Sequence, residues 1–316
     1  MNDNFIRVND LAELHEEQPA YVAVGSFDGV HLGHQAVLKS MVAAAQEAGA
    51  RTAVLTFFPH PRRVIQNLTD PYYIATLDDR VKWIAELGVN IVITQPFNGT
   101  VRNTRAADFV QQLRDHLNMR QLWGGDFALG YKREGDVPTL RRLGAEKGYT
   151  VELVDGLVEW DGELVSSSRI RRCLRAGDME NVSGCMGRPY RVYGAVVEGD
   201  KRGRTIGFPT ANMAYWDEQL LPANGVYAAW AWVGDERYMA ATNIGVRPTF
   251  DHGPRTVEAY LLDFEGDLYG QELCLEFIRR LRPEQKFAGL DKLVAQIQID
   301  VDLTRQILQS GSRVVG

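Results

Sequence analysis

Apolar and polar positions follow two different rhythms along this chain. In the first half, short runs rich in β-branched residues occupy 21–25 (YVAVG), 52–57 (TAVLTF), 91–94 (IVIT) and 150–154 (TVELV), and these are predicted strands. Between them, apolar residues recur at three- and four-residue spacing over 35–48, 78–87, 106–117 and 138–147, which predicts helices. Gly49, Gly88 and Gly148 follow three of these stretches, where a left-handed helix stop is expected. Strand–helix–strand repetition predicts a parallel sheet covered on both faces. Beyond residue 188 the rhythm shortens to alternation over 191–197, 226–233, 238–243, 257–263 and 273–277, with turn-rich segments between. That predicts a compact antiparallel barrel or sandwich. Phe287, Leu290, Val294, Ile297 and Val301 signal a final helix. The boundary is placed between 187 and 188.

Length agrees with two domains: the chain has 316 residues, and domains run to about 150 residues each. Charged residues at 24% and hydrophobic ones at 45% exclude wholesale disorder. A balance of 35 basic and 41 acidic residues, net −6, argues against a broad cationic footprint for nucleic acid. Cys173, Cys185 and Cys274 lie far apart and form neither a disulfide framework nor a zinc site. The acidic start lacks the apolar core of a signal peptide, and no apolar run is long enough to span a bilayer. A reduced, cytoplasmic protein is expected.

Four segments of the first half carry candidate chemistry. Gly25-Ser26-Phe27-Asp28-Gly29-Val30-His31-Leu32-Gly33-His34 follows the first predicted strand and opens the first predicted helix. A helix start offers unpaired N–H groups and a positive dipole end to phosphate. His31 and His34, three apart, share one face of a helical turn. A glycine-rich turn with two solvated histidines explains this segment equally well by itself. The second predicted strand runs into Phe57-Phe58-Pro59-His60-Pro61, whose prolines give an extended exit. The third segment is Gly124-Gly125-Asp126-Phe127-Ala128-Leu129-Gly130. The fourth, Ser166-Ser167-Ser168-Arg169-Ile170-Arg171, reads first as a helix cap and also as an anion site. Neither the GxGxxG fingerprint nor a phosphate-loop Gly-Lys pair occurs.

With these pieces in this order, the first half resembles the adenylyltransferase module of bacterial bifunctional riboflavin kinase/FAD synthetases. The second half resembles the kinase module of the same family through Gly199 to Asn212 (GDKRGRTIGFPTAN), residues 225–228 (GVYA), 243–250 (NIGVRPTF), Val257-Glu258 and 267–270 (DLYG). One departure is the Ser-Ser-Ser-Arg run, where the family usually has a threonine. The resemblance implies an α/β Rossmann-like nucleotidylyltransferase domain over 1–187 and an antiparallel β-barrel riboflavin kinase domain with a C-terminal helix over 188–316.

It also implies riboflavin, FMN, FAD and ATP as ligands, with Mg²⁺. Nucleic acid and membrane are not expected as partners, and weak self-association is left open. For ATP and its phosphates the resemblance points to Gly25, Phe27, Asp28, Gly29, His31, Gly33 and His34, to Ser167, Ser168, Arg169 and Arg171, and to Gly199, Gly203, Gly207, Thr210 and Asn212. Of these, His31, His34 and Arg171 are expected to be catalytic, and Thr210 and Asn212 to hold Mg²⁺. Glu258 is the expected base of the kinase. Phe57, Pro59, His60, Pro61, Asp126 and Phe127 are expected on the flavin side. Residues 98–105 (NGTVRNTR) carry no assigned role. Three rivals stand beside this reading: one active module with a degenerate one, a flavin or nucleotide sensor, and a nucleotidylyltransferase for another acceptor.

Overall fold

A computed structural model describes residues 5–125, 127–154, 158–199, 202–246 and 255–311. The chain forms two compact units, Met1–Asp70 with Ala75–Ser166 and Pro71–Ile74 with Ser167–Gly316. The first unit runs β1 (Ile6–Val8), β2 (Ala20–Gly25), α1 (Leu32–Ala48), β3 (Arg51–Phe58), α2 (Pro61–Gln66), α3 (Leu77–Glu86), β4 (Ile91–Pro96), α4 (Gly99–Asn103), α5 (Ala106–Leu117), β5 (Met119–Gly124), α6 (Val137–Lys147) and β6 (Thr150–Leu153). A small hairpin of β7 (Glu159–Trp160) and β8 (Glu163–Leu164) follows.

Strands β1 to β6 build one parallel sheet in the order β1-β4-β3-β2-β5-β6. Residues 52–56 of β3 are all buried, which is why this strand reads as an unbroken apolar run rather than an alternation. Gly49 (φ 63°) and Gly148 (φ 76°) close α1 and α6 in the left-handed conformation, as expected. From β2 the sheet grows through β3 and β4 to one side, then through β5 and β6 to the other. That reversal opens a crevice at the carboxyl ends of the strands.

The second unit holds α7 (Ser167–Ala176), α8 (Met179–Met186), β9 (Tyr190–Val197), α9 (Arg202–Thr205), β10 (Ala211–Tyr215), β11 (Gly225–Val233), β12 (Glu236–Val246), β13 (Arg255–Leu261), β14 (Glu272–Arg282) and α10 (Leu290–Gly311). Strands β9 to β14 close an antiparallel barrel in the order β10-β13-β12-β11-β14-β9. Helix α10 packs on its wall, with Val301 against Ala241 and Leu262. There Arg282 grips Asp300 through Nε at 3.0 Å and Nη2 at 2.7 Å.

This unit also takes in two stretches that the sequence pattern assigns to the first half. Met179, Val182, Cys185 and Met186 of α8 are buried against β9 and β14. Tyr72 and Tyr73 donate their amides to the Glu218 carbonyl at 2.8 and 3.1 Å. Spacing reveals that a helix has an apolar face, but not which surface covers it.

Candidate active sites of the two units

The segment after β2 turns sharply before it enters α1. Phe27 (φ 46°), Gly29 (φ 81°) and Val30 (φ 39°) all take left-handed backbone conformations. For the two residues other than glycine this costs about 1–3 kcal/mol each, so the surroundings must impose it. Gln35 Nε2 donates to the Val30 carbonyl at 2.9 Å, and Thr56 Oγ1 donates to the Ser26 carbonyl at 2.9 Å.

His31 is the N-cap of α1, and its Nδ1 accepts the His34 N–H at 3.3 Å. An accepting Nδ1 places the ring proton of a neutral His31 on Nε2, which makes that nitrogen a donor. The two imidazoles stack with centroids 3.6 Å apart, and the His34 ring meets Phe27 edge-on at 5.0 Å. A side chain at Gly33 would crowd the His31 ring, its Cβ lying 3.2 Å from Cε1.

Asp28 is placed differently from the sequence expectation. It is 1% exposed; its carboxylate accepts the Ala75 N–H at 3.3 Å and lies 3.6 Å from the guanidinium of Arg80. It therefore supports the loop from within the protein instead of facing a nucleotide.

A cavity of about 720 Å³ opens at the carboxyl ends of β2, β3 and β4. Gly25 and Ser26 form part of its wall, and Phe57, Phe97, Phe109 and Phe127 supply aromatic lining. Gly124 makes room for the Phe127 ring, since a Cβ there would lie 2.4 Å from it. His60 and Pro61 line the cavity too, with His60 Nδ1 capping α2 by accepting the Arg62 N–H at 3.1 Å. Pro59 is exposed and is not part of the lining, and Asp126 lies outside the described residues.

Sequence reasoning missed Phe97 and Phe109, and also the basic residues Arg62, Arg102 and Lys132 of the same lining, which Arg133, next to the third segment, joins. Residues 98–105, left without a role, contribute Val101, Arg102 and Thr104. Next to this wall, Arg105 donates to Glu134 at 2.6 Å and the Ala106 amide donates to it at 2.9 Å. These bonds, the one from Arg105 foremost, hold the Glu134 carboxyl below its ordinary range.

From Ser167 onward the serine–arginine segment belongs to the second unit. Ser167 opens α7 and is half-buried, and Ser168 is exposed. Arg169, buried, donates to Asn181 Oδ1 on α8 at 2.8 Å. Arg171, also buried, donates Nε to the Tyr72 carbonyl at 2.9 Å, with its guanidinium 3.8 Å from the Tyr72 ring centroid. Both arginines hold protein groups together, and the two serines remain accessible.

On the barrel, cross-strand register brings three polar side chains into one row. Glu258 of β13 lies opposite Asn212 on β10 and opposite Asn243 on β12. Their strand neighbours Ala211, Met213, Thr242, Ile244, Val257 and Ala259 are buried, so the row faces outward. Thr210 Oγ1 donates to Glu258 Oε2 at 3.5 Å.

The loop before Thr210 comes very close to this row. A Cβ on Gly199 would lie 2.2 Å from the Asn212 amide, and one on Gly203 would lie 2.2 Å from the Phe208 carbonyl. Gly207 sits at φ 86°. A hollow of about 100 Å³ beside Thr210 is lined by Arg204, Pro209, Asp267 and Tyr269. Asp200, Lys201 and residues 247–250 of the sequence motifs lie outside the described residues.

Comparison with known proteins adds independent findings. A family model described as FAD synthetase matches residues 13–169, and one described as riboflavin kinase matches residues 186–308. Proteins named bifunctional riboflavin kinase/FMN adenylyltransferase from Listeria monocytogenes and Bacillus subtilis are each 38% identical to this chain, over 90% of it and 91% of their own length. The protein of that name from Escherichia coli K12 is 33% identical over 93% of this chain and 94% of its own. Among solved structures, one from Streptococcus pneumoniae described as a macrolide-efflux protein matches with a TM-score of 0.87 at 27% identity, covering 96% of this chain and 99% of that one. Among the described residues, no helix is long and apolar enough to cross a membrane.

Proposed function

The chain belongs to the family of bifunctional riboflavin kinase/FMN adenylyltransferases, and from that premise we propose how its residues divide two consecutive reactions. The barrel unit phosphorylates riboflavin with ATP, giving FMN and ADP. The α/β unit then joins FMN to the AMP part of ATP, giving FAD and pyrophosphate.

In the second reaction an FMN phosphate oxygen bonds to the α-phosphorus of ATP as the bond to pyrophosphate breaks. The nucleophile is already ionised, so positioning and charge neutralisation carry the rate. The His31 Nε2–H donor and His34 steady phosphate at the start of α1, where the helix dipole helps. The aromatic cavity beside Gly25 takes the isoalloxazine, with Arg62, Arg102, Lys132 and Arg133 favouring the phosphorylated flavin. That cavity, walled in part by Gly25 and Ser26 of the segment that leads to His31, is the observation that supports this half. Ser167 and Ser168 are the accessible phosphate donors of their segment. Arg169 and Arg171 serve it by fixing α7, a narrower part than direct phosphate contact.

In the first reaction a ribityl hydroxyl attacks the γ-phosphorus, and its proton passes to Glu258. Thr210 and Asn212 offer neutral oxygens next to that carboxylate. Such oxygens, completed by phosphate and water, suit Mg²⁺, and Thr210 and Asn212 are the residues that would hold it. Bound there, the ion would neutralise phosphate charge. The row of Asn212, Glu258 and Asn243 beside Thr210 supports this half. The use of ATP fits a cytoplasmic setting.

Incubation with riboflavin, ATP and Mg²⁺, followed by chromatography of the flavins, tests the whole reading. FMN should appear first and FAD second, and chelation of Mg²⁺ should stop both. Production of neither flavin would leave a binding protein.

A further inference from the structure

The adenylyl-transfer site as proposed leaves one buried charge without a part. Arg80, on α3, is fully buried, with 0% exposure. Its Nη1 donates to the Phe57 carbonyl at 3.1 Å and to Thr56 Oγ1 at 3.4 Å, and its Nη2 lies 3.6 Å from Asp28 Oδ1. The Thr56 hydroxyl gives its own proton to the Ser26 carbonyl at 2.9 Å, so its oxygen is free to accept from Arg80.

A single guanidinium thus links the turn that leads to His31 with the end of β3 that supplies Phe57 to the cavity wall. Ser26 and Asp28, the two loop residues this network holds, flank the left-handed Phe27. Stability alone does not call for such a charge. Replacing buried ion pairs by apolar side chains of similar size is often neutral or stabilising.

We infer that Arg80 is a positioning residue for adenylyl transfer, fixing the loop 26–31 relative to the cavity wall so that the nucleotide phosphates and the flavin phosphate meet in register. A planar fork serves three acceptors in two segments at once, which a lysine point charge cannot do. The inference rests on the reading of the first unit as an adenylyltransferase.

The test uses the full chain, in which riboflavin phosphorylation reports on the barrel unit and the melting curve reports on the α/β unit that holds Arg80. Arg80→Met, Arg80→Lys and Thr56→Val are compared with the unaltered chain for kcat and KM of FAD formation from added FMN. Arg80→Met should lower kcat on the order of 100-fold, the scale of a misplaced reacting group, while KM for FMN and the kinase rate stay near their starting values. Arg80→Lys should recover part of that loss. Thr56→Val, which removes one hydroxyl from the same network, should lower kcat about tenfold, the effect of one lost hydrogen bond.

Unchanged kcat in Arg80→Met or in Thr56→Val would overturn the inference. So would a parallel fall of both activities with a falling melting temperature. If Arg80→Met does not fold, Thr56→Val decides. An unaltered chain that makes no FAD from FMN would instead overturn the adenylyltransferase reading itself.

Discussion

A histidine at a helix N-cap gives one ring nitrogen to the backbone, which leaves the proton of the neutral ring on the other. His31 is in that position, with Nδ1 on the His34 amide. Loss of an N-cap costs about 0.5–2 kcal/mol, and loss of a transition-state donor lowers kcat on the order of 10²–10³. His31→Ala should therefore block FAD formation while riboflavin phosphorylation continues, read as FMN accumulating on a flavin chromatogram. Normal FAD output would remove His31 from the phosphate site. His31→Asn, able to cap but with no ring Nε2–H, should also fail to make FAD, which separates the donor from the cap. In the barrel, Glu258→Gln should lower FMN formation on the order of 10²–10⁴, as expected for a lost general base, while FAD formation from added FMN persists. Equal loss of both activities would break the proposed division of labour. The histidines stood out in the sequence by their helical spacing after a glycine turn, whereas Glu258 was named only through the family resemblance, and its Asn212 and Asn243 partners emerge only from the strand register. Arg80 was not legible, since an arginine on a helix ordinarily faces water and only the fold shows it fully buried.

At the scale of elements, the pattern of apolar residues located what buries a continuous face and missed what does not. Strand β3 and helix α5 follow the sequence pattern closely, because one is buried along most of its length and the other carries a broad apolar stripe of Ala106, Phe109, Val110, Leu113 and Leu117. Strand β5 escaped notice because exposed Arg120 and half-buried Gln121 interrupt it. Helix α4 escaped for a related reason. Its five residues are capped by Asn98 and include no buried side chain, so no apolar face announces it, yet Arg102 on it lines the cavity. If that cavity takes a phosphorylated flavin, reversing the charge at this exposed position should act on affinity more than on turnover. Arg102→Glu should raise KM for FMN about tenfold in the FAD reaction, the loss of one charge-assisted contact, and leave riboflavin phosphorylation untouched. An unchanged KM would exclude α4 from flavin recognition.

For the molecule as a whole, the open question is which half owns α7 and α8. Sequence pattern draws the boundary at 187/188, while the compact units divide at 166/167. The family models leave residues 170–185 between them. Energetics favours the barrel as the owner. Met179, Val182, Cys185 and Met186 are at most 1% exposed, and full burial of a large apolar side chain contributes about 1.5–3 kcal/mol, an upper estimate. Several kcal/mol is a large share of a domain stability of about 5–15 kcal/mol. The first of these helices also carries Ser167 and Ser168 of the serine–arginine segment. Expression of 167–316 and 188–316 as separate fragments should decide ownership. Both lack residues 71–74, so that loss cancels between them. The longer fragment should melt about 10 °C or more above the shorter one, given a few degrees per kcal/mol at this size, and should show the more cooperative transition by circular dichroism. Equal melting temperatures would show that α7 and α8 do not stabilise the barrel, and would return the boundary to 187/188.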